Sequence, residues 1–195
     1  RLFDVQAIGI EKPEVANVEL LPGGIEVLVT GLQSGQTIAA VLLSNMVIGV
    51  QVKVRAPGEK VTEPDLTALT EKAKKACPDL KFAGGGASAE LSASMLTVAC
   101  RDALKPVLET GALSVKQVEL MYSAESLQAQ LKDLQERLAA QGLSRLKAHY
   151  QGLTLVLEGK VTQAEAGKLA LAVYQASRGG APADLTNLEL LPPEP

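Results

Sequence analysis

The sequence predicts an α+β fold made of tandem small modules, each with two helices packed on one face of a three-stranded mixed sheet. The first observation is an internal repeat: the order helix, strand, strand, helix, strand is clear in residues 124–192 and recurs more loosely in residues 63–122. Residues 1–56 match the latter part of that order, as a divergent or truncated copy. The second observation is the composition, 47% hydrophobic and only 3% aromatic, which suits small aliphatic cores. We therefore predict three modules with these boundaries.

The last module opens with an amphipathic helix, since four leucines recur at helical spacing among polar residues. Ser123 or Ser126 is the predicted N-cap, and Gly142 ends the helix. Gln151-Gly152 then suits a tight hairpin turn, and Thr162 followed by Glu165 has the capping-box form. The four leucines are Leu127, Leu131, Leu134 and Leu138. The predicted strand, strand, helix and strand that follow are residues 146–150, 153–161, 162–177 and 185–191.

The middle module repeats this order. Pro64 and Asp65 favour a helix start, and Pro78 favours its end. Pro106 is predicted to lie early enough in the second helix to be tolerated there. The predicted elements are a helix at 64–77, strands at 80–83 and 90–100 around Gly84-Gly85-Gly86, a helix at 102–110 and a strand at 115–121.

The first module departs from the pattern at its start. Pro22-Gly23-Gly24 is a strong hairpin signal between two strands. A strand-like segment, residues 2–10, stands where the opening helix should be. The predicted elements after it are strands at 17–21 and 25–30, a helix near 36–45 and a strand at 47–55.

Charge and hydropathy exclude several classes of partner. The net charge is −3, and the Lys and Arg residues are spread along the chain, which argues against nucleic-acid binding and against a membrane-surface patch. The longest apolar stretch, residues 38–50, is too short to span a bilayer. Because the chain begins at Arg1 rather than Met, we expect a fragment of a longer protein.

The two cysteines leave two interpretations open. Cys77 and Cys100 either form a disulfide that ties the middle module's first helix to its second strand, or remain two buried thiols. Their spacing has no CxxC form, and the chain has one histidine, so a structural zinc site is not predicted.

No residue is nominated as catalytic, cofactor-binding or metal-binding. His149 is interpreted as an exposed or half-buried strand residue, because no nucleophile motif accompanies it. The glycine-rich positions 22–24, 84–86 and 179–180 lack the Gly-Lys-Ser/Thr of a P-loop and are interpreted as turns or loops. The charges flanking the middle module's first helix complement the helix dipole and need no ligand. They are Glu63, Asp65, Glu71, Lys72, Lys74 and Lys75.

One segment carries a family resemblance. The run LKDLQERLAAQGLSRLKAHYQGLTLVLEGKVTQAEAGKLALAVYQASR, closed by LTNLELLP, resembles a BON-like, ring-building module. Tandem modules of this kind are similar to the periplasmic region of the SctD (YscD) family, which forms the outer component of the type III secretion inner-membrane ring. The likeness is best in 124–192, weaker in 63–123 and poor in 1–56.

The resemblance implies a non-enzymatic scaffold. On that basis we expect a ring homo-oligomer that contacts other secretion-ring proteins, needs no cofactor, and reaches the membrane only through segments absent from this chain. It also implies a cytoplasmic forkhead-associated domain and one membrane helix upstream, with this portion in the periplasm. Exposed sheet faces and edges are the expected route to head-to-tail contacts.

Two other functions are weighed against the scaffold. A periplasmic BON-type lipoprotein or binding module would contact envelope components or a partner protein, and a lipobox cysteine upstream would identify it. A small hydrolase or transferase would need a deep polar pocket with a perturbed titratable group.

Overall fold

The computed structural model describes residues 5–23, 26–59, 66–83, 89–109, 115–178 and 180–192. The fold class is α+β, as predicted, with small antiparallel and mixed sheets. In the described part of the chain the helices are α1 (Leu66–Ala76), α2 (Val98–Glu109), α3 (Ala124–Ala140) and α4 (Gln163–Ser177). The strands there are β1 (Ala7–Ile10), β2 (Ala16–Leu20), β3 (Val27–Gly31), β4 (Gly35–Leu42), β5 (Val47–Val54), β6 (Lys81–Ala83), β7 (Ala89–Leu96), β8 (Val115–Tyr122), β9 (Lys147–Gln151), β10 (Thr154–Thr162) and β11 (Ala183–Leu191).

The middle and last modules share one topology. Each runs helix, strand, strand, helix, strand, as the sequence predicts. In each sheet the central strand, β7 or β10, pairs antiparallel with the strand before it and parallel with the strand after the second helix. The two sheets therefore have equivalent orders, β6-β7-β8 and β9-β10-β11.

Local signals in the last module are confirmed. The Ser123 hydroxyl accepts the Ser126 N–H at 3.1 Å and caps α3. Gly142, at φ 75°, ends α3 in a Schellman motif, in which the Leu143 N–H reaches the Leu138 carbonyl at 2.7 Å. The Glu165 carboxylate accepts the Thr162 N–H at 2.9 Å, which is one half of the predicted capping box.

Two predictions about the second helix of the middle module are wrong. Cys100 is not in a strand, because β7 ends at Leu96 and α2 begins at Val98. The cause is Thr97, whose hydroxyl accepts the Cys100 N–H at 3.3 Å and caps the helix four residues earlier than predicted. Pro106 consequently lies in the helix interior rather than near its first turn. Glu63, Pro64, Asp65 and Gly84–Gly86 lie outside the described residues.

A third prediction, in the N-terminal region, is also wrong. The helix expected near residues 36–45 is wrong, since Gly35–Leu42 forms β4, the central strand of the sheet β1-β4-β5. Its alanines and leucines allow a helix, but antiparallel pairing with strands on both sides satisfies the backbone and overrides that propensity. The predicted hairpin is confirmed as β2 and β3, and the described part of the first segment contributes β1. The described residues 5–59 contain no helix, although a BON-like copy was expected there.

The N-terminal sheet packs on α4. A Cβ at Gly9 of β1 would fall on the carbonyl oxygen of Gly167 in α4, so these two glycines let sheet and helix backbones touch. A Cβ at Gly49 of β5 would likewise fall on the ring of Tyr174. The side chain of Gln175 also donates to the Glu11 carboxylate at 2.9 Å. This sheet therefore covers the last module's second helix.

The described residues form two compact units. The first unit contains the described residues of 5–59, 131–177 and 182–192. The second unit contains those of 66–130, with residues 178, 180 and 181. The division into modules 1–56, 63–122 and 124–192 remains a prediction. Among the described helices, none combines the length and hydropathy needed to cross a bilayer. Buried residues of the first unit's core include Ala7, Ala40, Leu42, Leu134, Leu138, Leu155, Leu157, Leu169 and Val173. Those of the second include Ala73, Cys77, Leu96, Cys100, Leu104 and Val107.

Candidate interaction surface

His149, the one histidine, lies in β9. It is exposed and stands opposite Val156 of β10 in the antiparallel register. No group of three or more His, Cys, Asp or Glu residues in the described ranges is arranged to hold a metal ion. The interpretation of His149 as an exposed strand residue is therefore confirmed.

Cys77 and Cys100 form a disulfide. Cys77 directly follows α1 and Cys100 lies in the first turn of α2, with the two Cα atoms 5.0 Å apart. The bond thus joins helix to helix, not helix to strand as predicted, because α2 begins earlier than the sequence pattern indicated. Both residues are buried in the core of the second unit.

An open depression of about 480 Å³ lies beside β7 in the second unit. Asp79 lines it, and its carboxylate accepts hydrogen bonds from the Ser94 hydroxyl and from the backbone N–H groups of Ser94 and Met95. The Ser94 hydroxyl is the main reason that the pKa of Asp79 is lowered. A carboxylate already held by three donors is a poor base, and here it anchors the turn before β6 to β7. Its lining residues are Asp79, Lys81, Ser92, Ala93, Ser94, Leu120 and Met121.

The β2–β3 hairpin presents one apolar face, here called the hairpin face. Cross-strand pairs Val18–Val29 and Leu20–Val27 place these four side chains on the same side, since side chains alternate along each strand. Val27 and Val29 are 37% and 46% exposed. Glu19, which pairs with Leu28, lies on the opposite side. Leu28 on that opposite side is 46% exposed as well, so aliphatic side chains are exposed on both sides of the hairpin, which is typical of an interaction surface.

Strand β5 presents a second apolar face, here called the β5 face. Gly49 faces α4, so the alternate residues Ile48, Val50 and Val52 point away from it. Ile48 and Val50 are 41% and 44% exposed. Because β5 is the last strand in the order β1-β4-β5, its outer edge has no strand neighbour in the described sheet. Both a face and an edge are therefore available at the same strand.

The hairpin face and the β5 face lie next to each other. A Cβ at Gly31, on the hairpin face, would lie 2.7 Å from Val54 Cγ1, on the same side of β5 as Ile48. Further from this contact the valines of both faces are exposed, so the two faces meet at one end only. We consider the two faces together as the candidate interaction surface of the first unit.

This surface was not nominated from the sequence, although signals for it are present. No Lys or Arg occurs between Lys12 and Lys53, while three glutamates fall at 14, 19 and 26. Ile48, Val50 and Val52 occupy alternate positions along the strand.

Comparisons with known proteins are sparse. No family model matches the sequence, and no curated protein matches it. A structural search matches a chain described as CdsD, a structural protein of the type III secretion system of Chlamydia trachomatis, with 17% identity and a TM-score of 0.31. The match covers 66% of this chain and 62% of that one. The chain is thus loosely similar to a secretion-system structural protein, and a TM-score this low does not establish a shared fold.

Proposed function

We propose that this chain is a structural scaffold subunit of a bacterial type III secretion inner-membrane ring, which oligomerises through periplasmic modules and has no enzymatic activity. The observation that carries the proposal is the repeated order α, β, β, α, β with the same sheet topology in α1–β8 and α3–β11. Tandem modules of this shape resemble the ring-building modules of that family. A repeated module with open sheet edges is suited to assembly.

The exposed surface of the first unit supports self-assembly. The hairpin face and the β5 face leave large aliphatic side chains in water, among them Val29 and Val50. A second copy or a ring partner that covered them would gain the free energy of burying apolar area. Other secretion-ring proteins are the remaining candidate partners.

The disulfide supports the periplasmic location. Disulfides persist in oxidising compartments, including the bacterial periplasm, and are rare where thiols are kept reduced. The Cys77–Cys100 bond crosslinks a small buried core. Its redox state in the native cell is therefore a direct test of the compartment.

The assembly test is sedimentation velocity over a wide concentration range, followed by native mass spectrometry of the largest species. We expect concentration-dependent oligomers with a defined subunit number. A chain that stays monomeric throughout, yet co-sediments with vesicles of phosphatidylethanolamine and phosphatidylglycerol, would instead support the lipoprotein-type binding module.

The compartment test is acid quenching of cells that express the full-length protein, followed by denaturation and thiol alkylation. We expect Cys77 and Cys100 to be alkylated only after added reductant. Free thiols in the quenched sample would contradict the periplasmic location.

A further inference from the structure

We propose that the Cys77–Cys100 disulfide is a redox-controlled latch that holds α1 on α2. Reduction of the bond releases α1, while the rest of the second unit stays folded. The inference concerns the second unit alone and does not depend on ring assembly. Three observations support it: the slight burial of α1, the position of the bond, and a noncovalent anchor that follows the bond in sequence.

Helix α1 buries little apolar surface of its own. Among its described side chains only Ala73 is buried, and Leu69 and Ala76 are partly buried against the core of the second unit. An isolated helix of 11 residues is marginal in water. Helix α1 therefore depends on its attachment to α2, on which it packs. The buried residues in the described part of α2 are Cys100, Arg101, Leu104 and Val107.

The disulfide attaches the C-terminal end of α1 to the first turn of α2. The Cys77 N–H donates to the Ala73 carbonyl at 2.9 Å, so Cys77 continues the hydrogen bonding of α1. Cys100 lies in a helix that is buried at several positions and capped by Thr97. The bond thus joins the last turn of a weakly buried helix to a well-buried one.

A noncovalent anchor follows the bond. Pro78 cannot continue α1, because it has no N–H to donate. The Asp79 carboxylate accepts the N–H of Ser94 at 3.0 Å and that of Met95 at 3.3 Å, which holds the chain on β7. These contacts do not involve α1 and remain when the disulfide is broken. Release is therefore limited to the helix before Pro78.

The redox step is a thiol–disulfide exchange. A thiolate of a dithiol reductant attacks one sulfur of the bond, and the second thiol of the reductant then resolves the mixed disulfide. The two electrons and two protons of the dithiol leave Cys77 and Cys100 as thiols and the reductant as a disulfide. Both cysteines are 1% exposed, so the exchange requires opening of the second unit. The chain has no other cysteine, so a reductant acts on this bond alone.

The test is amide hydrogen exchange in the full chain, followed by NMR before and after reduction with dithiothreitol. In the oxidised chain we expect the last amides of α1, residues 74–77, to be protected to within about threefold of those of α2. After reduction they should be at least about tenfold less protected than those of α2. The ratio between the two helices decides, because loss of the closed loop lowers protection throughout the second unit. Equal protection of both helices after reduction would overturn the latch.

The double variant Cys77→Ala with Cys100→Ala is the control for the reductant. It should show the reduced pattern of exchange with and without dithiothreitol. Amides of α4, which belongs to the first unit, should keep their protection to within about twofold in both conditions.

Trypsin gives a second, independent measurement. The exposed lysines of α1 are cleavage sites once the helix is released, whereas Arg101 is buried in α2. In the reduced chain we expect cleavage in α1 to precede cleavage after Arg101, and in the oxidised chain we expect neither to be early. Simultaneous cleavage in both helices on reduction would mean that the second unit opens as a whole and that α1 is not separately latched. The lysines are Lys72, Lys74 and Lys75.

Discussion

The middle and last modules have the same strand order but gain their stability in different ways. The middle module has a small described core, in which Cys77 and Cys100 join α1 to α2 covalently. The last module has no cysteine, and its buried residues belong to the larger core of the first unit, which includes Ala7, Ala40 and Leu42 of the N-terminal sheet. Its second helix, α4, packs on its own sheet and also on the N-terminal sheet β1-β4-β5.

The composition of α4 reflects this second contact. Buried residues occur around much of the helix, including Ala166, Ala170 and Ala172, and small side chains allow close approach on two sides. At Gly167 the approach is closest, because the backbone of β1 touches the helix there. A helix of an isolated module would instead have one polar side in water.

The difference shows two ways to stabilise a module of about sixty residues. Such a module buries too little apolar surface to be robust alone, so a covalent crosslink or an additional layer supplies the remainder. The middle module has the crosslink, and the last module has the layer. The N-terminal segment is therefore structurally part of the last module's unit, although it is distant in sequence.

The largest expected effect follows from removing the crosslink. Cys77→Ala with Cys100→Ala should lower the free energy of unfolding of the second unit by about 3 kcal/mol, because a loop with a separation of 23 residues is no longer closed in the unfolded chain. Urea unfolding followed by circular dichroism measures the loss. Reductant should produce the same loss in the wild type and none in the variant. A loss below about 1 kcal/mol would show that the crosslink is not what supports this module.

Gly167→Ala tests whether the N-terminal sheet packs on α4, because that packing decides whether the substitution raises or lowers the free energy of unfolding. In an uncovered helix, alanine would stabilise by about 1 kcal/mol relative to glycine. Here the new Cβ would lie 2.6 Å from the Ile8 carbonyl oxygen, so we expect a net loss of about 2 kcal/mol in thermal or urea unfolding.

Gly9→Ala changes the same contact from the sheet side. It brings no gain in helix propensity, so its loss should be at least as large as that of Gly167→Ala. Stabilisation by Gly167→Ala would mean that the N-terminal sheet does not rest on α4 in solution.

Sequence reasoning succeeded where the signal is local. The cap at Ser123, the stop at Gly142 and one half of the capping box of Thr162 and Glu165 each depend on a few adjacent residues and are confirmed. The hairpin around Pro22 and Gly23 was found for the same reason. These local signals were enough to recover the repeated order of elements.

Sequence reasoning failed where contacts between residues that are distant in the chain determine the local structure. Residues 36–45 were predicted to be helical, but β4 is a strand because β1 and β5 pair on both of its sides. Nothing near Gly9 in sequence indicates its contact with Gly167. The interaction surface was missed as well, because the exposure of Val29 and Val50 depends on how the sheets pack and not on their neighbours in sequence.

Gln130→Met tests whether the second unit, which contains both Gln130 and Ala181, has a noncovalent support besides the disulfide. The buried Gln130 amide pairs with the backbone of Ala181, donating to its carbonyl and accepting its N–H, both at 2.8 Å. Methionine fills similar space but leaves both backbone groups unpaired, so we expect a loss of about 1.5 kcal/mol in urea unfolding. Gln128→Met, at an exposed position of the same helix, is the control and should be nearly neutral. Equal losses in both would show that helix composition, not the pairing, is responsible.

The smallest expected effect concerns acid sensitivity at the start of α4. The Arg145 guanidinium donates a hydrogen bond to the Glu165 carboxylate at 2.5 Å. This bond is the main reason that the pKa of Glu165 is lowered from 4.5 to about 2. Because the folded-state pKa is depressed, this contribution to stability is fully present above pH 4.5 and is lost as the pH falls toward 2.

Arg145→Gln should therefore move the pKa of Glu165 back toward 4.5, as measured by carboxyl NMR titration. It should also reduce the acid dependence of unfolding between those two values. Lys160→Gln, whose ammonium pairs with Glu189 at 2.8 Å, is the control and should leave the pKa of Glu165 unchanged. A depressed pKa that survives Arg145→Gln would assign the effect to the Thr162 N–H and hydroxyl, and the capping box alone would then hold this end of α4 against acid.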